Sequence, residues 1–292
     1  MPIFPAACSL LFVPGVRPEL FAKAAKSGAH ALVLDLEDSV PPAVKDQARQ
    51  AVRDELATPK DSLTFVRINH PSLGALEADL SVLAARDGQV IMAPKIEGPE
   101  DLIELDDRLA AFERRAGLDA DTVSVMVVVE SGLGLRRLFD TLTSAPRVRG
   151  AGLASAEEGD LMVDIGGRWT PTGEALAYAR GKFVCDARAA RAQWVIDGAF
   201  MNMADEGAFE RECDLARTYG FTGKIAIHPR QTPAINRAFA PSEAEIERAR
   251  ALLEAFHAAE AAGCGAIRFR GMMVDYANAK RAEQILALAE TS

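Results

Sequence analysis

Ionisable residues stand at the ends of short apolar runs along this chain. Residues 31–34 lead into Asp35, Glu37 and Asp38; Phe65-Val66 into Arg67, then Asn69 and His70; Ala93-Pro94 into Lys95 and Glu97; Val127–Val129 into Glu130. Glu157, Glu158, Asp160 and Asp164 come next, and His228-Pro229 closes the series. Carboxylates gathered at one place repel each other unless one takes a proton or a cation bridges them. A hard divalent ion is the natural bridge. Magnesium prefers oxygen and often uses only one or two protein carboxylates, leaving its other positions to water and substrate. Zinc suits the set less well, because His70 and His228 are not spaced as a ligand pair and Cys8, Cys185, Cys213 and Cys264 are dispersed. His30 and His257 read as structural. Asp38, Glu97, Glu157 and Glu158 equally suit the N-termini of following helices, where carboxylates cap and meet the dipole. Arg67 has the wrong sign for that task, and Glu130 directly continues a buried-looking run.

The elements that must position these residues alternate. Short β-branched apolar runs mark strands near Ser9–Pro14, Ala31–Leu36, Leu63–Ile68, Val90–Ala93, Val123–Val129, Gly150–Ala154, Gln193–Ile196 and Lys224–Ile227. Helix-like stretches lie between them, among them Pro18–Ser27, Pro41–Leu56, Leu73–Ala85, Pro99–Ala116, Gly132–Thr143, Glu174–Arg191, Glu206–Tyr219 and Thr232–Phe239. Pro18, Pro41 and Pro99 suit first helical turns, where a missing N–H costs little. Gly28, Gly117 and Gly220 fall where helices should end. Repeated β/α units predict a parallel sheet with helices outside, and at this length a closed (β/α)8 TIM barrel. In such a barrel every strand end named above converges on one mouth. An open doubly wound sheet would call for a glycine-rich phosphate turn, and neither G-x-G-x-x-G nor a Walker sequence is present.

The expected division is a barrel over residues 1–240 and a C-terminal helical extension over 241–292. The extension contains a long helix (Pro241–Gly263), a strand-like piece (Ala266–Arg270) and a final helix (Ala277–Glu290). It is too small for a core of its own and is expected to pack on the barrel or on a neighbouring subunit. Of the 292 residues, 49% are hydrophobic, enough to bury a sizeable core. A net charge of −9 with no long basic run argues against nucleic acid as a partner. The first fifteen residues read as an opening strand rather than a signal, no run is long enough to span a membrane, and the scattered cysteines read as free thiols, so a cytoplasmic location is expected.

Several runs follow one another in a familiar order: LLFVPGVRPELFAKA, ALVLDLEDSVPPAVKDQAR, FVRIN, APKIEGPEDL, VVVES, GDLMVDIG, GKIAIHPRQTPAINRAFAPS and GMMVDYANAKRA. Over nearly the whole chain, from about Ser9 to Leu288, the sequence resembles the citrate lyase β-subunit-like branch of the HpcH/HpaI aldolase family. The resemblance implies a magnesium-dependent barrel whose metal carboxylates are Glu130 and Asp160. It gives Arg67 the substrate, with Asp35 and Glu130 beside it, and sets Glu37 near the metal shell through water. It matches Asp275 to an aspartate of a C-terminal lid. Coenzyme A would supply the thioester, with Arg17, Lys23 and Lys26 as candidate phosphate partners, and a homo-oligomer, trimer or hexamer, is implied.

The implied chemistry is a retro-Claisen cleavage of a 3-hydroxyacyl-CoA, such as malyl-CoA or citramalyl-CoA, into a 2-oxo acid and acetyl-CoA, or the reverse condensation. Arg67, Glu37 and Asp275 would be its catalytic side chains. Relatives also leave open a citrate lyase β-subunit using a carrier-protein thioester, a malyl-CoA thioesterase, a class II 4-hydroxy-2-oxo acid aldolase and an inactive barrel. The run before the second metal carboxylate, A-S-A-E-E-G-D-L, departs from the family's usual G-A-E-D-L, so the loop Ala156–Gly159 is expected to be longer or reshaped. Asn202 stands near a usual aspartate, and residues 166–173 also differ.

Overall fold

The computed structural model describes residues 7–58 and 63–291. Residues 1–6, part of the expected opening segment, lie outside them. The chain forms two compact units, residues 1–238 and 239–292.

In the first unit eight strands close a barrel: β1 (Ser9–Pro14), β2 (Ala31–Asp35), β3 (Leu63–Arg67), β4 (Gln89–Ala93), β5 (Ser124–Val129), β6 (Val148–Leu153), β7 (Trp194–Asp197) and β8 (Gly223–Ala226). Each pairs in parallel with its neighbours in chain order, and β8 returns to β1 through Ser9 opposite Lys224. The strands are apolar nearly throughout because both faces are covered, one by the barrel interior and one by helices. Alternate residues fill the interior: Leu10, Val33, Phe65, Val90, Met92, Met126, Trp194 and Ile196 form one buried cluster. Phe65 and Trp194 meet edge to face with centroids 5.2 Å apart. Their strands, β3 and β7, are not neighbours, so that contact crosses the barrel.

The helices following these strands are α1 (Phe21–Ala25), α2 (Lys45–Ala57), α3 (Leu76–Leu80), α4 (Ile103–Ala116), the pair α5 (Gly132–Arg136) and α6 (Leu138–Leu142), then α7 (Asp160–Asp164), α8 (Ala177–Ala189), α9 (Glu206–Tyr219) and α10 (Thr232–Phe239). Several are shorter than expected from sequence. Leu73–Ala85 holds only the five residues of α3, and Gly132–Thr143 breaks at Arg137 into α5 and α6. Pro41 precedes its helix, and Pro42 takes the first position of a 3₁₀ turn leading into α2. Gly117 and Gly220 end α4 and α9 in the left-handed conformation that glycine adopts without strain.

Behind β7 and β8 lies a sealed ionic quartet. Lys224 Nζ is 2.6 Å from Asp197 Oδ2 and 3.6 Å from Glu212 Oε2; Arg180 Nη2 is 2.8 Å from Glu212 Oε2 and 3.5 Å from Asp197 Oδ2. All four residues are buried. Burial alone would raise the Asp197 carboxyl, but Lys224 and Arg180 outweigh it and hold that carboxyl below its ordinary value.

The second unit contains α11 (Glu243–Ala261), the hairpin β9 (Ala266–Phe269) and β10 (Met272–Asp275), and α12 (Tyr276–Thr291). The strand β10 was not legible in the sequence. Arg270 and Gly271, both at positive φ, make the two-residue turn between the strands. Ser242 and Glu245 form a capping box at the start of α11. Contrary to the expectation of a segment too small for a core, the unit has its own apolar cluster, with Leu252, Phe256 and Val274 among its buried members, because the hairpin closes over α11 and α12.

Candidate active site

The strand ends of the barrel deliver charge to its C-terminal mouth, around a cavity of about 280 Å³. Its floor is apolar: Phe12, Met92, Met126, Val128 and Ile225 line it from the interior positions of four strands, β1, β4, β5 and β8. Arg67, Glu130, Asp160 and Asp38 line its rim. Gly152 leaves space that the floor uses, since a Cβ there would stand 2.9 Å from the Met126 Cε.

Arg67 ends β3 directly opposite Asp35, its register partner at the end of β2. Its Nε and Nη2 donate to the two Asp35 oxygens at 2.6 and 2.8 Å, a bidentate pair of fixed geometry. Asp35 also accepts the Glu37 backbone N–H at 2.9 Å and both the backbone N–H and hydroxyl of Ser39. Burial works to raise the Asp35 carboxyl, yet the Arg67 guanidinium prevails and keeps it ionised, below its ordinary value. Expected beside the substrate, Asp35 is instead buried behind Arg67 and does not line the cavity. That leaves Arg67 Nη1, which lies 2.9 Å from Glu37 Oε2 without hydrogen-bond alignment and 3.5 Å from Asp38 Oδ2. The guanidinium also lies 4.8 Å from the centre of the Phe12 ring, within cation–π reach.

Glu130 follows β5 and is largely buried. Its Oε1 accepts the Lys95 backbone N–H at 3.1 Å. Among the described residues no cationic side chain is paired with it. Burial first, and the charge of Glu37 second, raise its carboxyl to about 7. Asp160 opens α7, across the same cavity rim. The departure before it is absorbed in a turn: the Gly159 N–H donates to Ala156 O at 3.1 Å, and Glu158 takes a left-handed φ of +59°. Ser155, at the root of that turn, donates to Asp197 Oδ1 at 2.7 Å and accepts the Gly198 N–H at 3.0 Å. This close approach needs glycine at 198, where a Cβ would stand 2.5 Å from the Ser155 nitrogen.

Two carboxylates on one small cavity, one of them raised first by burial and then by the neighbouring Glu37 charge, fit a hard divalent cation. Among the described residues no three His, Cys, Asp or Glu side chains converge as a ready-made cage. The fit is therefore to an ion that keeps most of its positions for water and substrate, as magnesium does.

Lys95 is the residue that sequence reasoning passed over. Its position at a strand end was visible, but its partners were not. Its Nζ is 2.7 Å from Glu37 Oε1, 3.2 Å from Asp38 Oδ1 and 3.7 Å from Asp160 Oδ2. Glu37 is buried, which pushes its carboxyl up against the opposing pull of Arg67 and Lys95. Other strand-end candidates have structural partners. His70 and His228 cap 3₁₀ turns by accepting the Ser72 and Arg230 N–H groups. Glu97 accepts the Ser131 hydroxyl. Arg17 pairs with Glu19. All four cysteines are free, and burial pushes the Cys8 and Cys213 thiols up to about 12, far from nucleophilic thiolates. Asp275 belongs to the second unit, where its Oδ1 accepts the Ala277 N–H at the start of α12. Among the described residues no helix is long and apolar enough to cross a membrane.

The closed parallel barrel, with its chemistry gathered at the C-terminal mouth, places the chain among barrel enzymes. Residues 8–229 match the HpcH/HpaI aldolase/citrate lyase model, and residues 179–291 match the model of carbon–carbon bond lyases of the TIM-barrel fold. The chain belongs to the HpcH/HpaI aldolase/citrate lyase family. It is 34% identical over 286 residues to the citrate lyase subunit beta of Leuconostoc mesenteroides, covering 97% of this chain and 93% of that one. It is also 34% identical, over 311 residues, to the L-malyl-CoA/beta-methylmalyl-CoA lyase of Cereibacter sphaeroides, covering 99% of this chain and 96% of that one. The CitE protein of Mycobacterium tuberculosis, solved with magnesium, acetoacetate and coenzyme A, superposes with a TM-score of 0.76 at 30% identity, covering 98% of both chains.

Proposed function

We propose that this chain is a magnesium-dependent lyase that cleaves a 3-hydroxyacyl-CoA into a 2-oxo acid and acetyl-CoA, or joins them by Claisen condensation. Malyl-CoA and citramalyl-CoA are the substrates proposed. The observation that carries the reading is the convergence of Glu130, Asp160 and Arg67 on one cavity with an apolar floor. Relatives that are named citrate lyase subunit beta and malyl-CoA lyase, and a neighbour solved with magnesium and coenzyme A, support it.

Glu130 and Asp160 would hold the metal. When bound, magnesium lowers the pKa of the substrate hydroxyl and stabilises its alkoxide. Arg67 meets the substrate carboxylate and developing oxyanion through Nη1, the nitrogen not consumed by Asp35. Asp35 thus acts as a positioning residue: with Ser39 it sets the plane of the guanidinium before substrate arrives, so little reorganisation remains at reaction. Glu37 lies between the Arg67 and Lys95 side chains and fixes their spacing. With the hydroxyl proton given up to solvent, collapse of the alkoxide breaks the bond between the hydroxyl-bearing carbon and the carbon alpha to the thioester. The electron pair passes to the thioester as an enolate. Asp275 is assigned the proton that converts this enolate to acetyl-CoA, and the C-terminal unit is assigned the lid, within a homo-oligomer. Both assignments rest on the family resemblance, as does the candidacy of Arg17, Lys23 and Lys26 for coenzyme A phosphates.

The test is a magnesium-dependent cleavage assay on malyl-CoA, 3-methylmalyl-CoA and both citramalyl-CoA enantiomers. A coupled dehydrogenase detects the oxo acid and a thiol reagent detects free coenzyme A. Oxo acid without free thiol is the expected result. Thiol without oxo acid would replace the lyase by a thioesterase.

A further inference from the structure

Lys95 meets four carboxylates, three through its side chain and one through its backbone. The ammonium reaches Glu37, Asp38 and Asp160, while the backbone N–H points to Glu130. Serving both directions from one residue coincides with a left-handed φ of +56°, unusual for a side chain other than glycine. Local strain of this kind persists only where the surroundings hold it in place. The Lys95 side chain is nevertheless 38% exposed, so the ammonium has solvent beside it and room to move.

The carboxylates at the rim outnumber the cations. Arg67 commits two nitrogens to Asp35 and turns the third toward Glu37 and Asp38, and Glu130 has no cationic side chain paired with it among the described residues. Lys95 is then the cation that reaches both groups proposed to hold the metal, Asp160 through its ammonium and Glu130 through its backbone N–H. Building on that metal site, we propose that Lys95 is a tethered counter-ion. Its ammonium holds Glu37, Asp38 and Asp160 together in the metal-free protein, competes with the divalent cation for Asp160, and yields to it. Its backbone N–H keeps Glu130 aimed throughout. Lys95 is therefore a positioning residue, and its side chain lowers metal affinity rather than raising it.

This inverts the usual expectation for a residue in contact with a metal site and is read without turnover. Magnesium binding to the full-length protein is measured by titration calorimetry in the wild type and in Lys95→Met, Lys95→Gly and Lys95→Arg. Removing a unit charge a few ångströms from the incoming cation at a solvent-exposed mouth should tighten binding about tenfold in Lys95→Met. Lys95→Gly keeps the backbone N–H and relieves the positive φ; it should tighten binding to a similar degree. Lys95→Arg keeps the charge and should bind like the wild type. The metal-free melting temperature should fall in Lys95→Met and recover in magnesium. Unchanged or weaker binding in both Lys95→Met and Lys95→Gly overturns the proposal. Tightening in Lys95→Gly alone also overturns it, because backbone relief rather than charge would then be the cause. A wild type that binds no magnesium overturns the metal site itself, and this proposal with it.

Discussion

The sealed quartet behind β7 and β8 and the cluster at the barrel mouth are built from the same side-chain types, yet they answer opposite demands. In the quartet two cations face two carboxylates, all buried, and Asp197 is held firmly ionised. At the mouth the carboxylates outnumber the cations, Glu130 is raised to about 7, and several partners remain partly exposed. A balanced interior cluster needs no outside ion to neutralise its charge, even though Arg180 Nε and Nη1 and Glu212 Oε1 are buried without a hydrogen bond among the described residues. An unbalanced one at a surface is poised for a cation and an anionic substrate. Ser155 touches both regions, bonded to Asp197 on one side and leading into the Asp160 turn on the other.

The largest expected effect separates stability from activity. Lys224→Met leaves Asp197 and Glu212 with Arg180 alone, and breaking a buried ionic set in this way costs about 3–5 kcal/mol. Urea unfolding should show that loss, together with failure to fold at elevated temperature. At the mouth, Arg67→Ala should remove about 3–4 kcal/mol of transition-state stabilisation, read as a fall in kcat/KM, and should also lower the unfolding free energy, because it strands the buried Asp35 carboxylate. Near-normal turnover in that variant would remove Arg67 from the chemistry.

A pH experiment sharpens the contrast. Glu130 has a folded pKa raised from 4.5 to about 7. A group raised in this way contributes its stability below the unfolded value and loses it as pH climbs through the folded value. Metal-free protein should therefore lose up to about 3 kcal/mol from this group between pH 4.5 and 7. Glu130→Gln should flatten that decline, and magnesium should counter it at neutral pH. Unfolding curves across the window check both. The smallest expected effect concerns the link between the regions. Ser155→Ala deletes one hydroxyl bridge and should cost about 1 kcal/mol of stability, with a further loss in magnesium affinity if the Asp160 turn loosens.

The barrel was legible in the sequence because parallel strands covered on both faces become nearly continuous apolar runs, and such runs end abruptly where the mouth begins. Arg67 and Glu130 stood out for that reason. What stayed hidden was what depends on register and reach. Asp35 was expected beside the substrate, and its register, which sets it opposite Arg67, is not visible in the sequence. Nothing in Ala-Pro-Lys-Ile-Glu announces that Lys95 crosses to the end of β2 or adopts a positive φ. Lys224 sits within an apolar strand run and gives no sign that Asp197, Arg180 and Glu212 surround it. The strand β10 was missed because Met272–Asp275 is short and mostly exposed, without the alternation that marks a half-buried strand.

The cavity floor is drawn from interior strand positions and the rim from strand ends. Met92, Met126, Val128 and Ile225 are interior residues, whereas Arg67, Glu130 and Lys95 lie at or just beyond the strand ends. If the floor receives the acyl chain, a change there at residues that do not touch Arg67 alters the space for that chain without altering the rim charges. On that reading, exchange of Met92 or Met126 changes the shape of the acyl pocket one side chain at a time and leaves the charged rim in place.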